Sequence, residues 1–310
     1  MKILFMGTPD FAVPSLHAFV NSHHELVGVV TTPDKPVGRG LKIQPSPIKK
    51  VALELNLPIF QPAELTNSEF IQKIHQLRAQ LFVVVAFRIL PPEVFLLPAK
   101  GTINLHPSLL PKYRGAAPIN WAIINGEKET GITTIFIQKR VDTGEIILQK
   151  KVVIANNETA GELHDKLAKL GADLVLETAN LIEKGSIPRI QQTGPVTQAP
   201  KLTRELAHIH WQKSNLEIHN LIRGLSPSPG AYTYLNNKIM KILRSQLSLN
   251  SDMNGRPGEV LLVGSKKGRL IVATGAGNLE ILELQPEGKR RMTTEEYLRG
   301  HTIKTGEKFG

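Results

Sequence analysis

Up to about residue 185, short, almost wholly apolar runs alternate with longer stretches in which apolar positions recur every three or four residues. The first kind, Lys2–Met6, Leu26–Val30, Pro58–Phe60, Leu81–Phe87, Thr102–His106 and Ile132–Gln138, reads as strands. The second kind, Asp10–Ser22, Ile48–Asn56, Ser68–Ala79 and Ala116–Asn125, reads as helices. A further helix is expected over Thr159–Lys184, where Leu163, Leu167, Leu170, Leu174 and Leu181 keep helical spacing. Strands apolar on both faces and separated by helices predict an α/β domain with a Rossmann-like, mostly parallel sheet covered on both sides.

The texture changes at Ser186–Thr203, a stretch rich in Pro, Gln and Thr without periodicity, which reads as a linker. Beyond it a helix around Ser214–Arg223 precedes short alternating runs at Ala231–Leu235, Lys238–Ser248, Gly258–Val263, Arg269–Thr274 and Leu279–Leu284. Tight-turn signals (N-N, N-G, S-K-K-G, G-A-G-N) separate them, so a small OB-like β-barrel is expected. The resulting division is 1–187, a linker at 188–204, and 205–310; the tail from Gly300 to Gly310 suggests no contact.

Composition narrows the classes. A chain of 310 residues suits two domains, and 41% hydrophobic with 21% charged residues reads as an ordinary soluble protein. The longest strongly apolar run, Leu81–Phe87, falls far short of the roughly 20 residues that span a bilayer. The apolar start before Gly7 is too short for a signal peptide. These features favour a cytoplasmic protein with no membrane partner. With no cysteine, disulfides, thiolate catalysis and Cys-based metal sites are excluded. The net charge of +11 suits an anionic partner, and it is unevenly spread: residues 206–310 carry 15 basic against 9 acidic side chains, over half of the excess on a third of the chain.

The first strand and helix are joined by G-T-P-D-F, not by G-x-G-x-x-G. Thr8, Pro9 and Asp10 would crowd or repel a pyrophosphate, so a nicotinamide dinucleotide is not expected. The sharpest constellation is G-T-I-N-L-H-P-S-L-L-P. If Thr102–His106 is a strand, Asn104 and His106 project from one face at its carboxyl end, where open α/β sheets place their ligand crevice. An amide donor beside an imidazole suits acyl transfer: the amide can meet a developing oxyanion, and the imidazole can move a proton. The following S-L-L-P reads as a rigid turn in which Leu110–Pro111 can be cis. In V-D-T-G-E-I-I, Asp142 is either a turn cap or an orienting partner for His106. A single D-T-G on an α/β background does not support an aspartic protease, which needs two such carboxylates. The Pro/Gly-rich segment Pro33–Pro47, carrying Lys35, Arg39 and Lys42, reads as a long functional loop suited to docking phosphates.

Taken together and in order, G-T-P-D-F, the G-R-G loop, N-L-H-P-S-L-L-P, Y-R-G-A-A-P-I-N-W and D-T-G-E resemble the methionyl-tRNA formyltransferase family over essentially the whole chain, including the L-Q-P-E-G-K segment at Leu284–Lys289. The N-x-H-x-S-L-L-P pattern alone is shared by all enzymes that use 10-formyltetrahydrofolate through this fold. The resemblance implies transfer of formyl from 10-formyltetrahydrofolate to the α-amino group of methionine on initiator tRNA, with no metal. It implies Asn104, His106 and Asp142 as the catalytic trio. It further implies Ser108, Leu109, Leu110 and Pro111 as the folate-binding stretch, Phe87 on the pterin pocket, and Arg39, with Lys35 and Lys42 beside it, on the tRNA acceptor end. A monomer is expected. Two departures bear on the pocket: many members read A-Y-G where this chain has Ala86, Phe87 and Arg88, and H-G-S-L-L-P where it has Pro107. The nearest rivals are formyltransferases acting on a UDP-aminosugar or on glycinamide ribonucleotide. The latter usually stops near 200 residues, and the former is not expected to carry the loop around Arg39. A formyltetrahydrofolate hydrolase would carry an extra N-terminal domain, and none is expected before Lys2. From another class, a non-catalytic RNA-binding protein would have no need of the trio.

Overall fold

The computed structural model describes residues 1–37, 42–249, 253–264 and 268–310. Contacts group them into two compact units, one of Met1–Gly115, Thr130–Val152 and His164–Gln198, the other of Ala116–Glu129, Val153–Leu163 and Ala199–Gly310.

The elements of the first half are β1 (Lys2–Gly7), α1 (Val13–Val20), β2 (Glu25–Val30), β3 (Lys35–Val37), β4 (Lys42–Gln44), α2 (Pro47–Glu54), β5 (Ile59–Phe60), α3 (Ser68–Gln76), β6 (Leu81–Val85), α4 (Pro92–Phe95), β7 (Thr102–His106), β8 (Arg114–Gly115), α5 (Pro118–Ile124), β9 (Glu129–Phe136), β10 (Ile146–Val153) and α6 (Ala160–Lys184). Seven strands form one sheet in the order β10-β9-β7-β6-β1-β2-β5. Pairing is parallel from β5 through β7 and turns antiparallel where β9 meets β7. The sheet is mostly parallel, as the apolar runs anticipate.

Burial on both faces explains those runs. Leu4, Met6, Phe82 and Val84 pack under Phe70 and Ile74 of α3 and under Val94 and Phe95 of α4. On the other face Phe5 meets Phe19 of α1, with ring centroids 6.3 Å apart, and Thr134 Oγ1 lies 2.8 Å from Thr178 Oγ1 of α6. The run expected to reach Phe87 leaves the sheet after Val85, because Ala86 adopts a left-handed φ of +49° that no strand sustains. The Pro33–Pro47 segment contains a hairpin, β3 against β4, in the register Lys35↔Gln44 and Val37↔Lys42. At its base Lys49 Nζ donates to Asp34 Oδ2 (2.6 Å), and Gln61 Nε2 donates to Asp34 Oδ1 (2.8 Å).

The second half adds β11 (Gln198–Ala199), α7 (Asn215–Leu225), β12 (Ala231–Leu235), β13 (Lys238–Leu247), β14 (Val260–Gly264), β15 (Arg269–Ala273), β16 (Asn278–Pro286), β17 (Met292–Thr293) and α8 (Thr294–Gly300). Its sheet is antiparallel, in the order β12-β13-β16-β15-β14 with β17 on β16. Ile218, Ile222 and Leu225 of α7 join Trp211, Ile242 and Leu284 in its core. The tail, silent in the sequence, is anchored there: Phe309 is fully buried, Phe309 N–H donates to Gly258 O (2.8 Å) and Gly310 N–H to Tyr234 O (3.0 Å). Residues 307–310 therefore bond to β12 at one edge of the sheet and to the approach to β14 at the other.

Candidate active site

Strand register sets the floor of a cleft. Val84 of β6, Asn104 of β7 and Ile135 of β9 stand opposite one another in three neighbouring strands, so their side chains share a face. All three line a cleft, together with Phe87, Arg88, Ile89, Leu90, Ile137, Gln138, Lys139, Val141 and Asp142. The walls mix apolar with polar and charged side chains, and the Asn104 side-chain amide makes no hydrogen bond among the described residues. A roomier hollow beside Ile59–Lys73 is lined by none of His106, Asn104 and Asp142.

His106, two residues along the same face, is not among the lining residues and is 4% exposed. Its Nε2 is 2.9 Å from the carbonyl oxygen of Tyr113. A carbonyl only accepts, so Nε2 carries the hydrogen and donates it there. Nδ1 is thereby left for chemistry, and it faces Asp142 Oδ1 at 3.5 Å. The contact is attractive when a proton lies between the two atoms. The other carboxylate oxygen, Oδ2, accepts from Gly115 N–H at 3.0 Å. Asp142 thus belongs with His106, the reading that D-T-G left open beside a turn cap.

The backbone is bent to make this meeting. Tyr113 and Asp142 hold φ of +59° and +55°, a region that non-glycine residues seldom occupy. Gly144 is required for a different reason: a Cβ there would lie 1.6 Å from Phe136 O. The D-T-G turn can fold back on β9 only without a side chain at that position.

The other expected site residues separate into groups. Phe87 lines the cleft. Ser108–Pro111 is not among the residues lining it. Leu110–Pro111 is cis, and Ser108 Oγ donates to Lys112 O at 2.6 Å. Thr133 Oγ1 donates to Ser108 O at 2.6 Å, while Leu110 is buried against Ile135 and Ile146. Of the basic trio, Lys35 is exposed on β3 and Lys42 begins β4, while Arg39 lies outside the described residues. Arg88, a departure from the family pattern, donates to Pro62 O and Ala63 O, both at 2.8 Å, with its guanidinium 5.3 Å from the Phe87 ring centre. It braces the cleft wall, and burial lowers its pKa.

What the residue types did not reveal are Tyr113 and Gly115, which act through a carbonyl and an N–H. The left-handed φ that makes this possible at Tyr113 leaves no mark in a tyrosine. Among the described residues, one cluster has metal-ligand character: His23, His24 and Glu183. It sits at the start of the parallel strands, away from His106 at their end. Its carboxylate already accepts from the Met1 amine (2.9 Å) and His23 Nε2 (2.7 Å).

Residues 1–179 match the family model described as formyl transferase, and residues 201–302 match the one described as formyl transferase, C-terminal domain. The chain is 46% identical over 307 residues to a methionyl-tRNA formyltransferase of Pelotomaculum thermopropionicum, covering 99% of this chain and 97% of that protein. It is 48% identical over 312 residues to one of Desulforamulus reducens, covering 100% and 98%. Among solved structures, the sugar 3N-formyl transferase WlaRD, determined with dTDP and 5-N-formyl-THF, aligns with a TM-score of 0.66 at 27% identity, over 94% of this chain and 99% of that one. On two successive domain matches and full-length likeness, the chain belongs to the methionyl-tRNA formyltransferase family.

Proposed function

We propose that this protein transfers the formyl group of 10-formyltetrahydrofolate to the amino group of methionine on initiator methionyl-tRNA. The observation that carries the reading is a single cleft wall on which an unspent amide, Asn104, stands beside a carboxylate, Asp142, paired to a buried imidazole. The fit to a folate is chemical. The apolar faces of Val84, Phe87, Leu90, Ile135 and Ile137 suit a flat ring. The donor, when bound, supplies an activated formyl group.

The residues do the rest. Asn104 donates its amide hydrogen to the formyl oxygen as negative charge gathers there. Asp142, facing the cleft, accepts a proton as the amine attacks and shares it with His106 Nδ1; passed on to the folate nitrogen, that proton lets the bond from this nitrogen to the formyl carbon break, so that tetrahydrofolate leaves and the formyl group stays on the methionine nitrogen. Tyr113 O and Gly115 N–H hold ring and carboxylate in register for that exchange. Ser108, Leu109, Leu110 and Pro111 are assigned to holding the folate, with Leu110 packed against Ile135 of the cleft floor.

For the tRNA we assign Arg39, with Lys35 and Lys42, to the acceptor end, and residues 205–310 to the body of the RNA. Those residues we read as an OB-like barrel: the hydrogen bonds of 307–310 to both edges of the antiparallel sheet are what closure requires. Residues 1–187 form the catalytic part and 188–204 connect the two. The test offers 10-formyltetrahydrofolate with methionine-charged initiator tRNA, methionine-charged elongator tRNA and an amino-sugar nucleotide in separate reactions. Formylation of the initiator alone is expected. Formylation of the sugar in its place would overturn the reading.

A further inference from the structure

We infer that Gln192 is a positioning residue for catalysis, setting the carboxylate of Asp142 against His106 by holding the backbone on both sides of it. This rests on the reading of Asp142 and His106 given above.

Residues 189–198 lie along the loops of the site. Ile190 and Ile146 exchange two backbone hydrogen bonds, of 2.8 and 2.9 Å. Arg189 donates to Glu145 Oε2 (3.1 Å) and Gln191 to Glu145 Oε1 (3.0 Å). Gln192, between exposed neighbours, turns inward. Its Nε2 donates to Asp142 O at 2.9 Å and to Gly144 O at 2.8 Å. Its Oε1 accepts from Arg114 Nε (3.1 Å) and Nη2 (2.5 Å). The partners fix the orientation of the amide, since carbonyls cannot donate and a guanidinium cannot accept.

Gln192 thus ties together the two loops that meet at the dyad. Residues 113–115 each contribute one contact: Tyr113 O takes the His106 Nε2 hydrogen, Arg114 grips Gln192, and Gly115 N–H meets Asp142. Thr197 continues the same strap, its Oγ1 accepting from Tyr113 N–H (2.8 Å) and its carbonyl from Arg114 N–H (3.0 Å). On the other side, Asp142 keeps an unfavourable left-handed backbone. Such a conformation persists only where the surroundings over-determine it. A single amide bonded to the carbonyls of residues 142 and 144 supplies that restraint within hydrogen-bond reach of the reacting pair. No other natural side chain offers two amide hydrogens and a carbonyl at this length.

The test compares Gln192→Leu, Gln192→Glu, Asp142→Asn and the double variant Gln192→Leu/Asp142→Asn, with kcat and KM measured for both substrates. Gln192→Glu keeps an acceptor for Arg114 but loses both donors. Both single Gln192 variants are expected to lose about tenfold to a hundredfold in kcat, with both KM values within about twofold of the parent. In the Asp142→Asn background Gln192→Leu is expected to add less than about twofold, because the group it positions is already disabled. Full activity in Gln192→Glu beside an impaired Asp142→Asn would overturn the inference. So would losses that multiply in the double variant, or a raised KM at unchanged kcat. Full activity in Asp142→Asn itself would instead remove the catalytic reading beneath it.

Discussion

Chemistry at the residue scale depends on which nitrogen of His106 is committed. With Nε2–H donated to Tyr113 O, Nδ1 is the nitrogen that faces Asp142, and the proposed transfer uses it there. Removing the ring with His106→Ala, the charge with Asp142→Asn or the amide with Asn104→Ala should each lower the single-turnover rate by a factor on the order of 10² or more, with the fold kept by circular dichroism. A near-normal rate in His106→Ala would sink the trio. Asn104 and His106 were legible in the sequence because a two-residue spacing at a strand end has one geometric meaning. Asp142 was half legible: the motif showed a turn, but not what the carboxylate faced. Tyr113, Gly115 and the carbonyls that Gln192 holds were not legible, because their contribution is made by backbone atoms that every residue type carries.

Elements were readable where burial imposes a pattern and hidden where it does not. β7 matches its apolar run residue for residue, whereas β10 went unseen because Gln149, Lys150 and Lys151 interrupt the alternation on an edge strand. The hairpin β3–β4 was masked by proline and glycine, and the strap at 189–198 by a composition that reads as linker. Helix starts carry the clearest local marks. At the start of α6, Thr159 and Glu162 form a reciprocal cap: Thr159 N–H donates to Glu162 Oε2 (2.8 Å) and Glu162 N–H to Thr159 Oγ1 (3.3 Å). Arg244 also pairs with this carboxylate. Burial pushes the Glu162 carboxyl up, but the hydrogen bonds from Thr159 and the charge of Arg244 outweigh it and bring it down to about 2. A carboxyl depressed on folding stabilises the native state above its unfolded value, near 4.5, and that contribution fades as pH falls toward 2. Glu162→Gln should therefore lower the urea midpoint at pH 7 and make its decline between pH 4.5 and 2 shallower than in the parent. Parallel acid profiles would contradict the role given to this cap.

At the scale of the whole molecule the uneven charge becomes a binding property. With over half of the +11 excess on the last third of the chain, affinity for tRNA should fall steeply with salt, linearly in log–log form. Arg39→Ala is expected to weaken binding to initiator and elongator tRNA alike and to reduce that slope by about one, as loss of one phosphate contact would. Equilibrium titrations between about 50 and 200 mM salt would check this, and an unchanged slope would free the Arg39 loop from the assignment. The return of Phe309 to the second sheet was not legible, since one buried aromatic among polar neighbours has no period. The strap has a consequence for dissecting the protein. A polypeptide stopped at residue 187 would keep every strand of the parallel sheet yet lose the Ile190–Ile146 bridge and both hydrogen bonds that Gln192 donates to the D-T-G turn. Low turnover in such a fragment, or after protease nicking among residues 189–197, would then report an unlatched D-T-G turn as much as the loss of residues 205–310. A fragment carried through to residue 198 is the fair comparison.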